Sequence, residues 1–188
     1  MVFPLRLLLA WGYNAFFEKK EFDPEKEVIL IPNFADTTFF YPTPPSDQLL
    51  KKFKITNQFV ISYTGSLGIS NDVNYIINAA TYANEYHPNQ FYFLIAGKGA
   101  HHEWAKQRTQ ERQLTNIQFM EHVNKETIRE IYAVAHANLV SFLKIPILET
   151  NSPNKFFDGL AAGKLTIITI EGWIKDLCEK YKCGIYAP

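Results

Sequence analysis

Apolar positions fall along the chain in two alternating styles. Short continuous runs, Phe59-Val-Ile-Ser-Tyr-Thr, Phe91-Tyr-Phe-Leu-Ile-Ala, Ala137-Asn-Leu-Val-Ser-Phe-Leu and Leu165-Thr-Ile-Ile-Thr-Ile, are rich in β-branched and aromatic residues and predict strands. Residues 116–120 and 184–186 read as a third and a last strand, and 27–31 as an earlier one stopped at Pro32-Asn33. Between the runs, apolar residues recur at helical spacing. Val73, Ile76, Ile77 and Ala80 mark a helix within 70–86, and Trp104 anchors a polar one within 101–113. Ile128, Ile131, Tyr132 and Ala135 follow a cap at Asn124, and Trp173, Ile174, Leu177 and Cys178 mark a final helix. Residues 41–47 read as a Pro-rich linker. Strands without polar alternation suit a parallel sheet covered on both faces. Strand–helix alternation with right-handed crossovers then predicts the α/β class: a doubly wound, Rossmann-like parallel sheet. Residues 28–188 read as one domain and 1–27 as an interdomain or leader segment. The chain stops at Pro188 directly after a strand, which reads as a C-terminally truncated domain.

Composition changes this picture little. Apolar residues make up 47% of the 188, and 19 Lys+Arg balance 19 Asp+Glu, so no nucleic-acid partner or polybasic anchor is expected. Residues 1–17 are apolar, but Arg6 interrupts them, and a charged start and small-residue cleavage site are missing. The run is too short to span a bilayer. It reads as a membrane-lying helix or, in preference, an element packed on another part of the protein. Cys178 and Cys183 form no metal knuckle without a second pair, and isolated thiols fit a reducing cytosol. A cytoplasmic location follows, peripheral at the inner face of the membrane in the full-length protein.

The chemistry concentrates in Ser152-Pro153-Asn154-Lys155-Phe156-Phe157-Asp158-Gly159-Leu160-Ala161. Pro153 suits the first helical position and Ser152 the cap before it. Phe156, Phe157, Leu160 and Ala161 form one buried stripe, with Lys155 and Asp158 falling away from it and near each other. A helix N-terminus with a cation beside it suits a phosphate. A carboxylate one turn later suits ribose or sugar hydroxyls. In a sheet of order 3-2-1-4-5-6, ligands bind where the order reverses, between the strands beginning at Phe59 and Ala137. That brings the Gly65-Ser66-Leu67-Gly68 loop and the 149–158 segment together, with backbone amides near Gly65 and Gly68 free to approach a pyrophosphate. Gly97-Lys98-Gly99 borders the base in this arrangement, or else is a plain turn with an exposed lysine. His101 and His102 read as exposed, without carboxylates at ligand spacing, so no metal is expected. The Walker loop, the Gly-x-Ser-x-Gly elbow and the dinucleotide fingerprint are all missing.

Four motifs, Ile31-Pro-Asn-Phe-Ala-Asp36, Tyr63-Thr-Gly-Ser-Leu-Gly68, Leu94-Ile-Ala-Gly-Lys-Gly99 and Ser152 to Gly163, stand in order. Together they resemble the C-terminal, donor-binding half of GT-B retaining glycosyltransferases of family 4, or group 1. The resemblance implies sugar transfer from a UDP- or GDP-linked nucleotide-sugar, with retention and without a metal or other cofactor. It implies that Gly65 to Gly68 face the donor phosphates, that Lys155 neutralises the departing diphosphate, and that Asp158 grips the ribose. The Ser-Pro-Asn-Lys form resembles a subgroup acting in bacterial surface-polysaccharide synthesis. The acceptor, a sugar or lipid-linked saccharide, would bind an N-terminal domain absent here, so the fragment alone is expected to bind donor weakly and transfer nothing. Four positions depart from the pattern, one of them, Leu165 in place of a usual proline, structural only. Thr150 stands where the first acid of Glu-x7-Glu belongs, leaving Glu149, one residue off, as candidate for the sugar-contacting role. Ser66 and Asn71 replace basic residues common in relatives. Alternatives are a nucleotide-sugar 2-epimerase of the same architecture and a non-catalytic nucleotide-binding module.

Overall fold

The computed structural model describes residues 33–188 apart from His122. The apolar leader 1–17, the strand expected at 27–31 and the domain start at 28 lie outside the described residues.

Each continuous apolar run forms a strand because both of its faces are covered. β1 (Phe59–Thr64) and β2 (Phe91–Ala96) pair in parallel over their full length, from Phe59 opposite Phe91 to Thr64 opposite Ala96. β3 (Ile117–Met120), β4 (Ala137–Val140), β5 (Leu165–Ile168) and β6 (Gly184–Tyr186) complete a six-stranded parallel sheet of order β3-β2-β1-β4-β5-β6. This is the strand order expected from the sequence. It reverses between β1 and β4, where a crevice opens at the carboxyl ends of the strands.

Two layers of helix cover the sheet. On one face, α2 (Val73–Tyr86) buries Val73, Ile76, Ile77 and Ala80 against Ile61, Tyr63, Phe93 and Ile95, with α3 (His102–Glu111) contributing Ala105. On the other, α4 (Lys125–Val134) packs Ile131 and Val134 against Val60 and Leu94. Farther along that face, α5 (Asn154–Ala161) and α6 (Trp173–Tyr181) enclose Val140 and Ile168 with Phe156, Ile174 and Cys178. Complete burial of one side chain such as Phe156 stabilises the fold by about 1.5–3 kcal/mol.

Several elements differ from the sequence expectation. A short helix, α1 (Asp47–Lys52), follows the Pro-rich linker; the Ser46 hydroxyl accepts from the Leu49 N–H, and Asp47 and Lys51 suit its two ends. The helix expected from residue 70 starts at Val73. Residues Ile69–Asn71 form a 3-10 turn, and Asp72 adopts φ 39° while its carboxylate accepts from Tyr75 N–H. Asp tolerates this left-handed conformation and gains a capping bond there. The run after Ala137 leaves the sheet at Val140. The Asn124 cap stands as expected, accepting from Thr127 N–H at 2.9 Å.

Candidate functional site

α5 starts one residue later than its sequence suggests. Pro153 is extended (φ −78°, ψ 134°) and occupies the cap position, and no side chain caps the helix. Ser152 is therefore one residue too early to reach the first turn. Its hydroxyl accepts from Asn33 N–H at 3.4 Å and its carbonyl from the Asn33 side-chain amide. Ser152 thus ties the helix entry to the 33–40 loop, and the positive end of the helix opens towards the crevice without a capping side chain.

The buried stripe of α5 is also shifted. Lys155, Phe156 and Gly159 lie inside, followed by Ala162, whereas Phe157 and Leu160 are only half-buried. Lys155 is 7% exposed. Its Nζ stands 3.9 Å from the centre of the Tyr63 ring and 5.3 Å from that of Phe142. It also lies against the Gly65 backbone, where a Cβ would approach Nζ to 3.3 Å. Burial pushes its pKa down to about 7, and no carboxylate pairs with it among the described residues.

Two neighbours fix the Lys155 backbone. Asn138, fully buried in β4, donates its amide to the Lys155 carbonyl at 2.6 Å. The Tyr132 hydroxyl shares a 2.6 Å bond with Thr64 Oγ1 and reaches the same carbonyl at 3.4 Å. Gly159 lets α5 approach this closely, since a Cβ there would stand 2.6 Å from Asn138 Nδ2.

The Gly65 turn is held from both sides. Gly65 has φ +151°, and Tyr63 donates its hydroxyl to the Ser66 carbonyl at 2.6 Å. Gly97 (φ +156°) supports it from β2: a Cβ there would stand 1.7 Å from the Gly65 oxygen. Leu67 N–H donates to Lys98 carbonyl, and His101 N–H to Leu67 carbonyl. Gly97 and Gly99 thus brace the first loop through backbone contact.

The crevice beside these elements has a volume of about 530 Å³ and is lined by Asn33, Phe34, Asp36, Phe40, Thr64, Gly65, Lys125, Ile128, Asn154, Lys155 and Asp158. Four of the residues singled out from sequence, Gly65, Asn154, Lys155 and Asp158, thus share one cavity. Asp158 is half-buried, and burial pushes its carboxyl up to about 6. The others lie around the rim or behind it. Leu67 is fully buried beneath α2, and Ser66 and Lys98 are exposed. Gly68 precedes the 3-10 turn, and Pro153 precedes α5. Glu149 is outside the lining, on the 3-10 turn Pro146–Thr150, its carbonyl packed on Gly172.

Sequence reasoning missed Lys125 and Asp36. Asp36 stands within a recognised motif, and its carboxylate accepts from both N–H and hydroxyl of Thr38. Nothing in the sequence marks Lys125 beyond its place after the Asn124 cap. A groove of about 510 Å³ lies elsewhere, along α2 between Tyr82 and Phe91, and its lining holds no Lys or Arg.

His102 corrects another expectation. It is buried, and its Nδ1 lies 2.9 Å from Glu103 Oε1 and 3.6 Å from Glu121 Oε1. Lys106 Nζ stands 3.7 Å and 3.3 Å from the same carboxylate oxygens and supplies them with a positive charge.

The family model for glycosyl transferases group 1 matches residues 58–188. No curated protein matches the chain significantly. Among solved structures, the C-terminal domain of a glycosyl transferase group 1 family protein (LpcC) from Francisella tularensis is 16% identical. That match covers 79% of this chain and 86% of the other, with a TM-score of 0.60. WaaG, a glycosyltransferase involved in lipopolysaccharide biosynthesis, is 16% identical over 96% of this chain and 48% of its own, with a TM-score of 0.76. Anabaena Alr3699/HepE, in complex with UDP and glucose, is 16% identical over 97% and 49%, with a TM-score of 0.75. At this identity the likeness is one of fold. The chain spans about half the length of the latter two.

Proposed function

Since the chain belongs to the group 1 glycosyltransferase family, we propose that its crevice is the donor site of a retaining glycosyltransferase using a UDP- or GDP-linked sugar. One observation carries this reading: a buried lysine without a carboxylate partner among the described residues lies against a glycine turn at an uncapped helix start. The diphosphate lies between the Gly65 turn and the first turn of α5. Lys155 and the α5 amides neutralise it without calling on a metal ion. Asp158 accepts hydrogen bonds from ribose hydroxyls. Positive charge fixed where the leaving diphosphate gathers negative charge lowers the barrier to an oxocarbenium-like state. The acceptor, a sugar or lipid-linked saccharide, binds a second domain, and the whole enzyme works in the cytoplasm on bacterial surface polysaccharide. No helix among the described residues is long and apolar enough to cross a membrane.

Calorimetry with UDP and GDP tests the site. One of them binds, and Lys155→Met weakens it more than tenfold, about 1.4 kcal/mol, as expected for loss of a charged partner. Equal affinity of parent and variant would overturn the assignment.

A further inference from the structure

We propose that Lys155 takes up a proton when the ligand diphosphate arrives, so that donor binding is coupled to proton uptake at this side chain. The inference rests on the donor-site reading above and adds the charge state in which the empty site waits.

The geometry around Nζ is unusual for an ammonium. Its surroundings are the faces of Tyr63 and Phe142 and the Gly65 backbone. The Tyr63 phenol turns away to donate to the Ser66 carbonyl. At the start of α5, the helix dipole adds a further positive potential. Among the described residues, each charged or titratable group facing the crevice either leaves Lys155 uncompensated or stays neutral. Asp158, on the same helix, and Asp36, from the loop before α1, feel Lys125 of α4 as their nearby cation. Tyr63 of β1 and Tyr132 of α4 are phenols that burial holds neutral.

Two effects then compete. The ring faces favour the charged form by about 2 kcal/mol in a desolvated setting. Removing an ammonium from water costs several kcal/mol. Desolvation wins, in keeping with the lowering to about 7. In mildly alkaline solution the empty site therefore holds mostly neutral amine. A diphosphate within about 4 Å reverses the balance, because an opposite charge favours the ammonium. The same effect favours diphosphates over neutral ligands, since only an anion draws the proton in.

Titration calorimetry of UDP into the full chain tests this, at pH 8.5 in Tris, Tricine and Hepes, whose ionisation enthalpies differ. At that pH the UDP phosphates, with a last pKa near about 6, are already ionised. The slope of observed enthalpy against buffer ionisation enthalpy should give uptake of about one proton per UDP bound. Lys155→Arg, permanently charged, should bind with no uptake at pH 8.5. If that variant does not fold, the parent protein decides alone: its affinity should fall about tenfold per pH unit between pH 8 and 9. UDP binding at pH 8.5 with zero proton uptake, or with affinity flat over that range, overturns the inference and leaves the donor site standing. UDP and GDP binding to neither the chain nor the full-length enzyme overturns both.

Discussion

Lys155 shows how a residue's type can mislead about its place. Charged side chains usually face water, so a helical wheel coloured by type puts Lys155 outside the stripe of Phe156 and Leu160. The fold puts it inside because Gly159 lets α5 sink onto Asn138. The sequence could still reveal its role, because a cation beside a helix start suits a phosphate wherever its stem runs. A stability cost follows. Its folded pKa, about 7, lies below the ordinary 10.5. Between those values the unfolded chain binds more protons than the folded one, so this group makes stability rise with pH across the window. Below about pH 7 both states carry the charge and its full cost is present. Lys155→Met should therefore raise stability at pH 7 by about 0.5–2 kcal/mol and flatten the rise between pH 7 and 10. Urea unfolding at several pH values reads both. A variant less stable than the parent at pH 7 would show that the amine is well accommodated as it stands.

At the scale of elements, the loops after β1 and β2 act as one unit. Gly97-Lys98-Gly99 was legible as a break after β2, but its partner was not. Local sequence cannot show that a Cβ at Gly97 would strike the Gly65 oxygen at 1.7 Å, or that one at Gly99 would stand 2.5 Å from the Leu67 carbonyl. These glycines are needed for backbone-to-backbone contact, and the exposed Lys98 side chain between them is not part of that brace. Gly97→Ala adds both a clash and a strained φ, and should destabilise the fold by about 2–4 kcal/mol while weakening nucleotide binding through the displaced Gly65 turn. Thermal unfolding with and without UDP measures the two effects. A change under 0.5 kcal/mol would show the loops to be independent. The shift of α5 by one residue has a similar cause: by type Ser152 fits the cap and Pro153 the first helical position, but Ser152 is drawn away to Asn33, 119 residues distant in the chain.

At the scale of the whole molecule, the sheet was legible because its signal is repeated. Six short apolar runs, each followed by a helix or loop, leave few arrangements, and the doubly wound order β3-β2-β1-β4-β5-β6 is among them. That order alone brings Gly65 and Lys155 to one crevice, although they are far apart in the chain. Lining residues from outside this regularity, Lys125 at the start of α4 and Asp36 in its own turn, were not legible as site residues, and Glu149, singled out by sequence, lies outside the lining with its carbonyl packed against Gly172. A crystal structure of this chain bound to UDP, or to GDP if calorimetry selects it, tests the central claim most directly. The pyrophosphate should lie between the Gly65 turn and the first turn of α5, with Lys155 Nζ within hydrogen-bonding distance of a phosphate oxygen. A pyrophosphate held by Lys125 and Asp36 alone, or bound outside the crevice between β1 and β4, would contradict it.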